Sequence, residues 1–219
     1  KQWLIADLSA NTRDWTIVIF HHPPYSKGNN HNSDFGEING FPVDTPQVDM
    51  RVEFTPVFEK YAVDVVYSGH SHSYERSYYL HGHTGISDTF GDDAQHAEIG
   101  ASGEFSLGRD NDTYSQLSPT SGHIDDRVVY TVAGSSGKAD EVPETPEDWQ
   151  KLRTVTKEEW LRHPAHVPQL SDGACGSQQG CRRGLAVKGS VVLDLSEKIL
   201  TARFIDVDGN VLDQFSITR

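Results

Sequence analysis

Four histidines stand where their types and spacing could do chemistry. His21 and His22 close the run Val18-Ile19-Phe20-His21-His22-Pro23-Pro24-Tyr25, and His70 and His72 lie in Gly69-His70-Ser71-His72-Ser73-Tyr74-Glu75-Arg76. Neutral imidazole is a favoured nitrogen ligand for zinc, iron and related ions. In an extended stretch the side chains of residues i and i+2 share one side, so His70 and His72 are expected to face one site or two adjacent ions. Gly69 is expected to let the backbone turn tightly just before them. Two surface histidines in a polar loop would be the bland alternative, but here each pair follows a strongly apolar run.

Those runs, Trp15-Thr16-Ile17-Val18-Ile19-Phe20 and Val63-Asp64-Val65-Val66-Tyr67, read as buried strands of parallel type. They are short, rich in β-branched residues and stopped by Pro or Gly. Histidines at the ends of neighbouring strands occupy the part of an α/β sheet that binds ligands. Upstream, residues 1–11 read as a helix with Trp3, Leu4 and Leu8 on one stripe. A polar loop is expected from His21 to about Val48. A short helix then ends near Tyr61, with Thr55 as its cap and Pro56 as its first helical residue. A further strand is expected near Ser77–Leu80, and another at Val128–Ala133.

The remainder is loop-rich. Residues 84–126 read as an elaborated surface region, and 138–186 as loops with one short helix around Lys157–Arg162. Over 187–219, Ser190–Leu195, Ile199–Asp206 and Val211–Ile217 alternate as strands of a closing antiparallel meander, with Asp208-Gly209 as a tight turn.

Composition limits the function classes. The 219 residues suffice for one large domain or most of one, with a substantial core. Nineteen Lys and Arg stand against 32 Asp and Glu, a formal charge of −13, so no general field draws nucleic acid or an anionic membrane. An anionic substrate would have to be attracted locally, by cations and histidines. No stretch is long and apolar enough to span a bilayer. Cys175 and Cys181, with five residues between them in a glycine-rich loop, suit a disulfide formed in an oxidising compartment, extracellular or periplasmic. Two free thiols would be the alternative.

The motifs V-x-x-H (Val18 to His21) and G-H-x-H (Gly69 to His72), the latter extended by Tyr74-Glu75-Arg76, resemble the last two of five short motifs of the calcineurin-like metallophosphoesterases, most closely the purple acid phosphatase branch. The resemblance runs through the terminal meander. It implies an α/β fold, the C-terminal portion of an αββα sandwich of two mixed sheets, with 1–219 as the C-terminal part of a single catalytic domain. It also implies two divalent or trivalent metal ions (Zn, Fe or Mn). His21 and His70 would bind one ion and His72 the other. His31 resembles the family's histidine that binds phosphate and protonates the leaving group. His22 departs from the plant-type pattern; it reads as a catalytic residue that faces substrate or supports a ligand, and Tyr25 as lining the substrate site, with an ordinary Pro-Pro-Tyr turn as its alternative. Glu75 and Arg76 read as a buried structural ion pair.

The implied reaction is hydrolysis of phosphate esters, monoesters foremost, by a metal-activated hydroxide. The family's earlier motifs, D-x-G, G-D-x-x-Y and G-N-H-D/E, are not found. The chain therefore reads as the C-terminal part of a longer enzyme, with the N-terminal portion possible as a separate partner chain. Three other readings stay open: a phosphodiesterase of the same fold, a non-catalytic metal-binding half docked on another chain, and an extracellular module holding calcium on Asp88, Asp92, Asp93, Asp110 and Asp112. The spacing of these aspartates does not match an EF-hand loop.

Overall fold

A computed structural model describes residues 1–27, 31–34, 44–91, 95–116, 127–139, 163–168 and 184–219. Two four-stranded mixed sheets pack face to face. The first has the order β1-β2-β5-β3, from β1 (Ile17–Ile19), β2 (Val65–Ser68), β3 (Tyr74–Leu80) and β5 (Val128–Ala133). The second has the order β4-β8-β7-β6, from β4 (Tyr114–Ser115), β6 (Gly189–Leu195), β7 (Ile199–Asp206) and β8 (Val211–Thr218). β1, β2 and β5 run parallel and β3 antiparallel to β5.

Side-chain alternation divides the core into two layers. Val66, Val128 and Tyr130 face Leu8 of α1 (Gln2–Ala10) and Val57 and Phe58 of α2 (Thr45–Lys60). Val65, Tyr67 and Val129 point the other way, against Leu200, Ala202, Phe215 and Ile217 of the second sheet. The antiparallel meander β6–β8 closes on Gly209, whose φ of +87° is the conformation a tight turn requires. The Asp206 side chain accepts from the amides of Asp208 and Asn210 across the same turn.

Several expectations need correction. β1 is an edge strand rather than a buried one, and Ile19 is 77% exposed. Trp3 leaves the α1 stripe for solvent at 75% exposure, whereas Leu8 is buried. The second helix begins eleven residues earlier than its Thr55-Pro56 signal suggested. Asp44 is its N-cap, Pro46 lies in the first turn, and Pro56 sits inside the helix. Thr-Pro occurs twice in this segment, and the upstream pair supplies the start. At the second pair the Thr55 hydroxyl turns back onto the Arg51 carbonyl (2.7 Å) while the helix continues.

Residues 84–126 are more than surface. Phe90 and Ala97 join the core, and Tyr114 begins a strand paired parallel to β8. The helix expected at 157–162, Cys175, Cys181, Asp92 and Asp93 lie outside the described residues. No helix among those described is long and apolar enough to cross a membrane.

Candidate metal centre

The parallel register of β1 and β2 builds the centre. Ile17, Val18 and Ile19 pair with Val65, Val66 and Tyr67, which brings the residues following each strand alongside one another. The Gly69 amide then donates to the His21 carbonyl (3.0 Å), and His70 Nδ1 comes to 3.2 Å from His21 Nε2. His22 packs beside both, its ring centroid 4.9 Å from that of His21 and 4.4 Å from that of His70. On the far side of His70, its Nε2 lies 2.6 Å from Asp44 Oδ2, and His31 Nδ1 approaches the same oxygen at 3.5 Å.

Two sets of donors thus share His70: His21, His22 and His70, and His31, Asp44 and His70. Within each set the ligand atoms lie within 4.8 Å of one another. Two nitrogens each about 2.1 Å from a tetrahedral zinc stand about 3.4 Å apart, close to the His21–His70 separation. The donor chemistry, imidazoles with one carboxylate, fits zinc, iron or manganese. Each set offers three protein ligands, so neither completes a four-coordinate site by itself. His72 stands outside both sets. Its ring faces that of His31 edge-on, with centroids 6.3 Å apart.

The loop's conformation explains why His70 and His72 separate. The residue with left-handed backbone is His70, at φ +66°, while Gly69 is not in the positive-φ region. The segment is a turn, β3 begins only at Tyr74, and the extended i, i+2 geometry does not apply. A non-glycine residue in this region costs energy and persists where its surroundings over-determine it. Gly134, just past β5, permits the packing behind the loop: a Cβ there would meet the Ser71 carbonyl oxygen at 1.9 Å. The Gly134 amide donates to the Ser73 carbonyl (3.1 Å).

Electrostatics follow from the crowding of like rings. Partial burial, with the neighbouring His70 and His21, lowers the His22 pKa. Burial, the largest single influence, pushes the Asp44 carboxyl up, but hydrogen bonds from His70, Gln47 and His31, with the charge of His70, together outweigh it and hold the group below its ordinary value.

Behind the centre, α2 braces the loop that carries His31. The buried Arg51 guanidinium donates to the Pro24 carbonyl (3.0 Å) and, more closely, to that of Ser33. Asp34 accepts from the Ser87 amide (2.8 Å) and pairs with Lys27 (3.3 Å).

Two site expectations are overturned. Tyr25 does not line the site: it is 1% exposed, its hydroxyl donates to the His83 carbonyl, and its ring packs on Tyr130. Pro23 and Pro24 carry the chain inward before this residue. Glu75 and Arg76 are not a pair, because neighbours on a strand point to opposite faces. Arg76 reaches Asp213 of β8 through Nε (2.6 Å) and Nη2 (3.0 Å). Glu75 turns to the loop side and meets Ser26, Ser71 and Ser73. Asp44 was missed in sequence, although Asp44-Thr45-Pro46 is a recognisable helix start that would have placed a carboxylate at the end of α2.

Comparison with known proteins gives sequence likenesses over part of the chain. The calcineurin-like phosphoesterase family model matches residues 1–74. A purple acid phosphatase of Glycine max is 39% identical over 79 residues, covering 35% of this chain and 14% of that protein. An uncharacterised protein of Mycobacterium tuberculosis is 36% identical over 91 residues, 39% of this chain and 15% of its own length. Among solved structures, a purple acid phosphatase from yellow lupin (Lupinus luteus) seeds shares the fold with a TM-score of 0.54 at 15% identity, over 100% of this chain and 28% of that one. The matched segments span about 15% of the curated relatives' length. Over the part they cover, the family model and the sequence relatives support a purple acid phosphatase-like metallophosphoesterase, and the lupin structure supports the fold.

Proposed function

We propose that this chain carries part of a metal centre that hydrolyses phosphate esters, monoesters foremost. One observation carries the reading: His21, His22, His31, Asp44 and His70, spread over 50 positions of sequence, converge beyond the parallel strand ends around one shared imidazole. In support, the matching relatives include purple acid phosphatases and a phosphatase named for phosphoenolpyruvate. His21, His22 and His70 would hold one ion. The His31–Asp44 side would face a second ion or the substrate, with His72 completing that side through a small movement of the loop.

Bound ions would supply Lewis acidity toward the phosphoryl oxygens and lower the pKa of a water nucleophile. The chain's own residues do the rest. Asp44 orients the His70 ring through Nε2 and so leaves Nδ1 directed toward His21. His31, beside that carboxylate, can donate a proton to the departing alkoxide oxygen. On a surface of net charge −13, local cations would offset repulsion of an anionic ester.

The test is a calorimetric zinc titration of the intact protein with p-nitrophenyl phosphate turnover measured in parallel. His70→Ala should weaken zinc binding by more than the ~10–100-fold typical of a ligand's supporting partner, and abolish turnover. Unchanged zinc affinity in that variant would end the reading.

A further inference from the structure

We infer that Glu75 is the positioning residue that locks the two histidine-bearing loops to each other. The inference rests on the proposed metal centre and names what holds its ligands in place. Glu75 is wholly buried on the first residues of β3. Its Oε1 accepts from the hydroxyls of Ser73 (2.7 Å), Ser26 (3.0 Å) and Ser71 (3.2 Å). Its Oε2 accepts from the Lys27 amide (3.2 Å) and lies 3.2 Å from His166 Nδ1. Ser26 and Lys27 belong to the loop that follows His21 and His22. Ser71 and Ser73 flank His72, and Ser71 directly follows His70. One carboxylate therefore spans both loops and a third segment.

The backbone shows why such a clamp is needed. His70 holds a left-handed conformation without being glycine, and a conformation of that kind persists only where neighbouring contacts over-determine it. Ser71, the next residue, is held through its amide to the Gly69 carbonyl (2.8 Å) and through its hydroxyl, which donates to Glu75 (3.2 Å) with the Ser73 hydroxyl packed 2.9 Å away. Without the carboxylate, the hydroxyls of two loops lose their common acceptor, and the angle at which His70 meets His21 is no longer set. Burial pushes the Glu75 carboxyl up despite these donors.

The deciding variants are Glu75→Gln, Ser71→Ala/Ser73→Ala and their combination, made in the intact protein, with His70→Ala as the control for metal. Two readouts are followed, hydrogen exchange at the Ser71 and Lys27 amides without metal, and zinc affinity well below the melting temperature. Glu75→Gln should speed both amides about tenfold and weaken zinc about 10–100-fold. The double serine variant should reproduce the loss, and the combination should add little, as for residues acting through one contact.

A Glu75→Gln protein that melts earlier but keeps its zinc affinity would make Glu75 a stabiliser only and overturn the inference. If wild type and His70→Ala bind zinc equally poorly, the metal reading fails by itself, and the exchange rates decide: unchanged amides overturn the clamp. If Glu75→Gln does not fold, the double serine variant, which removes donors alone, decides in its place by the same two readouts.

Discussion

Glu75 and Arg76 are consecutive residues, both wholly buried, and they serve opposite faces of β3 in opposite ways. Arg76 faces the second sheet and forms a forked pair with Asp213. Tyr74, on the same face two residues earlier, donates to that carboxylate (2.7 Å), and Arg76 donates also to Tyr114 (3.2 Å). This cluster binds sheet to sheet. Glu75 faces away from it and gathers hydroxyls and an amide from loops that carry histidines. Its ionisable contact is the buried imidazole of His166, on which the His163 ring packs in turn. A buried charge fully paired with another resists change and pins layers together, while a carboxylate held by hydroxyl donors aims a loop. The difference separates stability from function within one step of sequence.

The largest break in the comparison comes from the sheet side. Asp213→Asn leaves Arg76 buried without its counter-charge and should cost about 3–5 kcal/mol in urea unfolding. Zinc affinity of the folded fraction should stay within about twofold of wild type, since the two faces share no partner. A large loss of affinity there would show that the two faces are not separable.

A smaller effect is expected at Gly134. A methyl group on this backbone meets the Ser71 carbonyl, so Gly134→Ala should destabilise by about 1–3 kcal/mol. It should also shift the ring resonances of His70 in NMR spectra while leaving those of Tyr74 in place. Unshifted His70 signals would show that the loop is not held by this packing.

The gentlest test uses acid. Burial, with His96 nearby, lowers the His83 pKa to about 4 from an ordinary 6.5. Above pH 6.5 both folded and unfolded chains leave this ring neutral, and it contributes no pH dependence. Between 6.5 and about 4 only the unfolded chain takes up the proton. Stability should therefore fall as pH falls, by about 1.4 kcal/mol per unit from this residue. Burial lowers His163 as well and adds in the same direction, while the raised Glu75 carboxyl acts oppositely. His83→Gln should flatten the slope of unfolding free energy against pH in this window, and an unchanged slope would remove His83 as its source.

The strands of the first sheet and the closing meander were legible because their signals are local. Runs of β-branched residues, period-two alternation and the Asp208-Gly209 turn are written over a few adjacent positions. The placing of His21, His22 and His70 at strand ends was legible for the same reason. What lay beyond reading depended on partners far away in sequence. Asp44 meets His70 across 26 positions only because α2 begins where it does, and Tyr25 turns inward because Tyr130 and the His83 carbonyl wait there. His70 rather than Gly69 takes the left-handed turn, in a loop packed against Gly134 some sixty positions away. Local energies select which elements form, and long-range packing, together with the cost of leaving buried polar groups unpaired, decides which side chains meet.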